Sequence, residues 1–307
     1  MLNIVSGVQR RPQKIVIYGP EGIGKTTLAT EFPDPLILDT EGGTSQMDIK
    51  RIDKPQSWTE LVAIVKEVAE TPGICKTFIL DTADWAEQYL MKHVCETYKQ
   101  KSIEAFGYGK GYTYLGEEFA ELLEALDKLI AAGINVVITA HAKMRKFEQP
   151  DEMGAYDRWE MKLSRQVAPL LKEWSDLLLF CNYQTYDVQS ENNKSKAQGG
   201  KRVMYTSHHP CWDAKNRHNL PEVVDLSYES IRHIVEPKPQ KSYAEQVRQK
   251  LTEAGIKEKA LLEFTASKGH YPEAKAVEDY PDKFLNGWIL KYWDQIVTNI
   301  SSVKKED

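Results

Sequence analysis

Long apolar runs are missing from this chain: nothing approaches the ~18 uninterrupted apolar residues of a membrane-spanning helix, so a membrane protein is not expected. Cysteine is sparse, with Cys75, Cys95, Cys181 and Cys211 widely spaced in 307 residues and no C-x-x-C pair. That pattern argues against a disulfide scaffold and for free, mostly buried thiols in a reducing cytosol. Cys211, near His208 and His209, comes nearest to a metal-ligand set, and no second cysteine or carboxylate cluster completes it. Neither sign of charge dominates. Forty Lys and Arg against 45 Asp and Glu leave a net charge of −5, so any nucleic-acid contact must be local. Met1-Leu2-Asn3-Ile4 shows no basic stretch followed by an apolar core, so no secretory leader is expected and the expected location is cytoplasmic. Internal repeats are absent as well.

What is present is a globular composition, 41% apolar and 28% charged, and one specific motif. Gly19-Pro20-Glu21-Gly22-Ile23-Gly24-Lys25-Thr26 follows the apolar run Ile15-Val16-Ile17-Tyr18 and fits G-x-x-x-x-G-K-[ST] without a mismatch. Its glycines let the backbone wrap phosphates with its N–H groups turned inward. Lys25 is expected to reach the β- and γ-phosphates and Thr26 to ligate Mg²⁺. The helix opening at Lys25-Thr26-Thr27 adds its positive end. ATP and Mg²⁺ are therefore the expected cofactors.

Short apolar runs alternate with longer amphipathic stretches, the α/β pattern. Strands are expected at 14–18, 36–39, 77–81, 135–140, 176–181 and 202–206, and helices at 25–31, 58–71, 85–99, 116–132 and 162–174. Ser190 to Gly200 is polar and reads as a hairpin tip or flexible loop. The Pro- and Lys-rich stretch 237–242 reads as a linker. It divides a P-loop domain, residues 1–236, from a small helical C-terminal domain, residues 243–307. The strand Phe78-Ile79-Leu80-Asp81 ends in an acid placed to hold Mg²⁺ through water, as in phosphate-loop NTPases. Leu36-Ile37-Leu38-Asp39-Thr40-Glu41 ends a second strand with two acids, and His141 closes the strand 134–140. By residue type alone these two ends are equally compatible with a solvated turn and a structural histidine.

In their order along the chain, these features resemble the phage-type RecA-like ATP-binding proteins, related to small recombinases that anneal single strands. The resemblance covers residues 12 to about 235 and rests on the phosphate loop, Asp39-Thr40-Glu41, the strand ending at Asp81, Thr139-Ala140-His141 and Ala214-Lys215-Asn216-Arg217. It implies a RecA-like P-loop NTPase core with a central, mostly parallel sheet. Glu41 would be the water-activating base and His141 a sensor of the γ-phosphate. Lys215 and Arg217 would be trans-acting fingers in a ring or filament of identical subunits, a contribution that can be worth ~10³–10⁵ in rate. Otherwise the pair is an ordinary basic surface turn.

The same resemblance implies two loops that contact single-stranded DNA. Phe106 to Tyr114, with Tyr108, Lys110 and Tyr112, combines glycines, aromatics and one lysine, a composition suited to base stacking at roughly 1–3 kcal/mol per base. The loop after His141 carries Lys143, Arg145, Lys146 and later Arg158, with acids interleaved. The expected function is an ATP- and Mg²⁺-dependent ATPase on single-stranded DNA in phage-type recombination, annealing or replication, stimulated by DNA and dependent on oligomerisation. The location would then be the bacterial host cytoplasm. The chain departs from full RecA in showing no substantial domain before the core. The C-terminal residues Lys268-Gly269-His270-Tyr271-Pro272 and 287–293 resemble helical tails of phage recombination proteins, which implies docking of a replication or single-strand-binding partner. Two other readings stay open: a nucleotide-gated assembly or loader protein, and a small-molecule kinase, for which no Arg-rich lid is evident.

Overall fold

The computed structural model describes residues 10–148, 155–184, 186–188, 196–198, 200–236 and 242–303. The chain forms two compact units, residues 1–236 and 237–307. In the first unit the strands are β1 (Lys14–Gly19), β2 (Pro35–Asp39), β3 (Lys50–Ile52), β4 (Thr77–Asp81), β5 (Asn135–Glu148), β6 (Ala155–Met161), β7 (Leu177–Tyr183), β8 (Tyr186–Val188), β9 (Lys196–Gln198), β10 (Arg202–Tyr205), β11 (Lys215–Asn216) and β12 (Val223–Asp225). Its helices are α1 (Lys25–Thr30), α2 (Trp58–Glu70), α3 (Ala83–Thr97), α4 (Lys110–Ala131), α5 (Val167–Trp174) and α6 (Arg232–Val235).

The main sheet runs β12-β10-β7-β1-β5-β4-β2-β3, with β1 between β5 and β7 and β4 beyond β5. The pairs β1–β5, β1–β7, β4–β5, β2–β4 and β2–β3 are parallel, while β10 and β12 extend the sheet antiparallel. Parallel strands are covered on both faces, so they read as continuous apolar runs. The alternation within them still assigns each side chain to a face. Val16, Tyr18, Leu36, Leu38, Phe78 and Leu80 pack with α2, α3, α4 and α5 on one side. Ile15, Ile17, Ile37, Ile79 and Val137 pack with Leu28 of α1 and with Ile231 and Ile234 on the other. This is the expected α/β core with a central, mostly parallel sheet.

Parallel register brings the carboxyl ends of the strands to one edge. Gly19 lies opposite His141, and Asp39 opposite Asp81, so a crevice at that edge collects the strand-end acids, as open α/β sheets generally do. α4 buries Leu115, Phe119, Leu122, Leu126 and Leu129. It stops where Gly133 (φ +90°) lets the Ile134 amide return to the Leu129 carbonyl.

Two expected loops have a different form. β5 does not end at Ala140: it runs to Glu148 and returns as β6, so the basic stretch after His141 is a two-stranded ribbon. The interleaved acids explain the pairing, since Lys143 faces Glu160 and Lys146 faces Asp157 across the strands. The aromatic segment is also no open loop: 104–106 form a single 3₁₀ turn, Gly107–Gly109 a bend, and α4 begins at Lys110. β8 and β9 pair as a hairpin around the polar stretch, most of which lies outside the described residues, as does nearly all of the linker.

The second unit contains α7 (Tyr243–Glu253), α8 (Glu258–Ser267), α9 (Asp282–Phe284) and α10 (Trp293–Val303), with a π-helical segment at Leu285–Leu290. Ser242 and Glu245 form a capping box at the start of α7. Val247, Leu261, Val277, Leu285 and Ile289 centre its own core. Among the described residues no helix is long and apolar enough to cross a membrane.

A candidate nucleotide site

Gly19 ends β1 where β7 passes so close that a Cβ would sit 2.3 Å from the Cys181 carbonyl oxygen. Beyond it, Gly22 and Gly24 adopt φ of +72° and +109°, left-handed angles that turn successive amides toward one concavity. Gly24 is the N-cap of α1 and contributes no side-chain cap, so the first amides of the helix are open to an anion. Lys25, only 5% exposed, folds its ammonium over the loop and donates to the carbonyls of Gly19 (3.2 Å) and Pro20 (2.9 Å). Burial pulls its pKa down. The amide-lined concavity and the buried cation fit a triphosphate.

Thr26 Oγ1 donates to both oxygens of Asp81, at 3.0 and 3.2 Å, and the Thr139 hydroxyl also donates to Asp81. Asp81 is 3% exposed, and burial raises its pKa. A hydroxyl and a buried carboxylate side by side are hard oxygen donors of the kind Mg²⁺ takes. These two residues would hold it, and it would neutralise phosphate charge there.

The two acids after β2 divide their work. Burial would raise Asp39, but four hydrogen bonds reverse the direction and hold its carboxyl low. They come from the amides of Glu41 (3.1 Å), Gly42 (2.6 Å) and Thr44 (2.9 Å) and from the Thr44 hydroxyl (2.7 Å). Asp39 thus fixes the turn that presents Glu41, whose carboxylate stays open to the cleft, 4.0 Å from His141 Nε2. The cleft, about 360 Å³, is lined by Glu21, Lys25, Thr26, Glu41, Asp81 and His141 among others. Thr27, in the first turn of α1, is exposed and also lines this cleft.

His141 has a partner that the sequence did not reveal. Asp84, in the first turn of α3, accepts from the His141 backbone amide and pairs with its ring Nδ1, both at 2.9 Å. Burial pushes Asp84 up, yet these bonds outweigh it and the net direction is down. Arg202, from β10, was also missed. Its Nη1 donates to the Ile23 carbonyl at 3.2 Å and lies 2.9 Å from where a Gly24 Cβ would be, so it braces the loop from behind.

Lys215 and Arg217 lie elsewhere. β11 pairs with the first residues of β7, at the opposite edge of the parallel sheet from the phosphate loop. Lys215 donates to the Lys172 and Glu173 carbonyls at the end of α5, and Arg217 pairs with Asp176 at 2.8 Å. Neither meets the loop of its own chain, so any contribution to this site would come from another copy. At Cys211, the backbone amide donates to His209 Nδ1 and the His209 ring stacks on Trp212. Among the described residues no His/Cys/Asp/Glu cluster suits a metal ion.

The DNA candidates separate into three groups. Tyr108 is fully exposed at the bend. Lys110 and Tyr112 sit in the first turn of α4, where the Tyr112 hydroxyl donates to Glu104. Phe106 and Tyr114 are absorbed in an aromatic cluster with Tyr98. On the ribbon, Lys143, Arg145 and Lys146 are exposed. Arg158 is not: it turns inward to Asp213 (2.6 Å) and the Pro210 carbonyl (2.8 Å), so the expected contact with DNA is replaced by an internal ion pair. A cavity of about 420 Å³, larger than the phosphate cleft, is lined by Lys143, Arg145, Arg165 and Lys172 with Glu160 and Asp213. A neighbouring one of about 360 Å³ shares Lys143 and Arg165 and adds Tyr112.

Residues 11–218 match the family described as AAA domain. Over 192 residues the chain is 28% identical to the SPbeta prophage-derived uncharacterized protein YorG of Bacillus subtilis (strain 168), covering 60% of this chain and 54% of that protein. The chain thus spans about half the length of the curated relative it matches. A solved structure, the flagellar accessory protein FlaH from Methanocaldococcus jannaschii, aligns with a TM-score of 0.33 at 13% identity, over 63% of this chain and 77% of that one. With a family match over more than half of its length and a complete phosphate loop at the sheet edge, the chain belongs to the AAA domain family of P-loop ATPases.

Proposed function

We propose that this protein hydrolyses ATP with Mg²⁺ and uses the cycle to act on single-stranded DNA in phage-type recombination, annealing or replication. Lys25 and the loop amides bind the phosphates, Thr26 and Asp81 hold the metal, and Glu41 orients and deprotonates water. His141 senses the phosphate from β5, the strand that continues into the basic ribbon. Lys215 and Arg217 complete the site of a neighbouring copy in a homo-oligomer. The prophage-derived relative supports the phage setting.

One observation carries the DNA part of this reading. Tyr112 and Lys143, from segments about thirty residues apart in sequence, line the same cavity together with Arg165. An aromatic hydroxyaryl ring beside two cations is a setting for a stacked base and its phosphate. The test is ATP turnover against protein concentration, with and without oligo(dT). Turnover should rise with oligo(dT), and specific activity should rise with concentration. Absence of both stimulation and binding at low salt rejects the DNA reading, and a flat specific activity rejects the trans-acting pair.

A further inference from the structure

A single helix joins the nucleotide cleft to the basic cavity. α3 starts directly behind Asp81 and carries two buried carboxylates, Asp84 and Glu87, 6% and 2% exposed. Three residues apart on a helix, they share one face, a turn from each other. Burying carboxylates is costly unless hydrogen bonds compensate, and here each one grips a different wall. Asp84 holds the backbone and ring of His141. Glu87 holds the Ser164 amide with both oxygens at 3.1 Å. Ser164 lines both basic cavities, and its hydroxyl accepts from the Val167 amide at the start of α5.

The contacts close on themselves. Lys143, two residues past His141 on β5, donates to the Leu163 carbonyl at 2.9 Å, next to Ser164. His141, Asp84, Glu87, Ser164, Leu163 and Lys143 therefore form one circuit that touches the phosphate cleft at one end and the cation-lined cavity at the other. Glu87 lines neither cavity.

We propose that Asp84 and Glu87 are positioning residues that tie the state of the nucleotide cleft to the shape of the basic cavity, α3 acting as the rigid tie between them. The proposal rests on the DNA reading only for the identity of the cavity's ligand. If His141 shifts on nucleotide binding, Lys162, whose amide donates to the His141 carbonyl at 2.8 Å, is pulled directly. Ser164 is also held by Glu87, so α3 sets whether the segment from Ser164 onward follows. A coupling of this kind is a free energy between sites and is measured by what one ligand does to the other.

Two measurements on the full chain test it, using Glu87→Ala and Glu87→Gln. The first needs no polymer: amide hydrogen exchange of residues 164–166, beyond the direct bond from Lys162 to His141, with and without a non-hydrolysable ATP analogue. Nucleotide should alter that exchange in the wild type and in E87Q, whose amide oxygen still accepts the Ser164 N–H, but not in E87A. The second is oligo(dT) affinity with and without the analogue. The ratio of the two affinities should fall about tenfold in E87A, toward unity, while basal turnover stays within about twofold. An E87A protein that keeps the wild-type exchange response overturns the proposal, and so does an E87Q protein that loses it. Wild type that binds no oligo(dT) yet shows the exchange response overturns the DNA reading alone. If E87A does not fold, Asp84→Ala opens the circuit at its other end by removing both oxygens that hold the His141 amide and ring. Unchanged transmission in D84A also overturns the proposal.

Discussion

The phosphate cleft and the basic cavity share the strand β5, yet they are built by different rules. In the cleft, function is written in the backbone. Gly19 has no room for a Cβ, Gly24 occupies a left-handed angle, and the polar side chains Lys25, Asp39 and Asp81 are buried and bonded in fixed directions. In the cavity, function is written in a sum of side chains. Lys143, Arg145 and Arg165 are exposed, and acids such as Glu160 and Asp213 stand among them. The difference teaches that single changes should act nearly all-or-none in the first and by degrees in the second.

The sharpest way to break that contrast is Lys25→Ala. It removes the cation from the loop, and turnover measured by phosphate release should fall by at least about 10²–10³-fold. The thermal midpoint should hardly move, because the loss of two bonds to loop carbonyls is offset by removing the cost of a buried ammonium. Glu41→Gln should lower turnover by about 10²-fold while affinity for a fluorescent ATP analogue persists, since Glu41 faces the cleft without holding the loop. Asp39→Ala reverses that profile. It orphans the donors of the Glu41–Thr44 turn and should cost about 1–3 kcal/mol of stability in denaturant titration, with activity falling only as the turn loosens. In the cavity, Lys143→Ala or Arg165→Ala should weaken oligo(dT) binding modestly. Each should also reduce the slope of log K against log salt by about 0.7, read from titrations at several salt concentrations. A loss as abrupt as that of Lys25→Ala would contradict the graded picture.

This contrast also explains what was legible in the sequence. The phosphate loop and the strands carrying it were readable because a strand buried on both faces is an unbroken apolar run, and because the loop's glycines follow from backbone necessity. The ribbon β5–β6 was read as a loop because its stabilising pairs, Lys143 with Glu160 and Lys146 with Asp157, are charges that look like solvated loop residues until the register is known. Arg158 looked available for DNA, although its partner Asp213 lies 55 positions away in sequence. Asp84 carried a faint local signal, an acid in the first turn of a helix. Its bond to His141 spans 57 positions and no local pattern reports it. Lys110 and Tyr112 were taken for loop because Gly107 and Gly109 precede them, and those glycines mark the bend before a helix.

The continuous strand β5 has one more consequence. It pairs with β1 only as far as His141, and among the described residues its remaining length is bonded to β6 alone. At roughly 3.3 Å per residue, this leaves a ribbon about 20 Å long. The outer edge of β6 is met at Trp159 by the Cys211–Trp212 segment, while the outer edge of β5 beyond His141 has no neighbouring strand among the described residues. Such edges invite pairing with another chain, and charged side chains along them are the usual deterrent. Lys143, Arg145 and Lys146 therefore have a duty in solution that is independent of any ligand: they keep the ribbon from recruiting a foreign strand. Neutralising all three at once should make the protein prone to self-association before its affinity for anything else is measured.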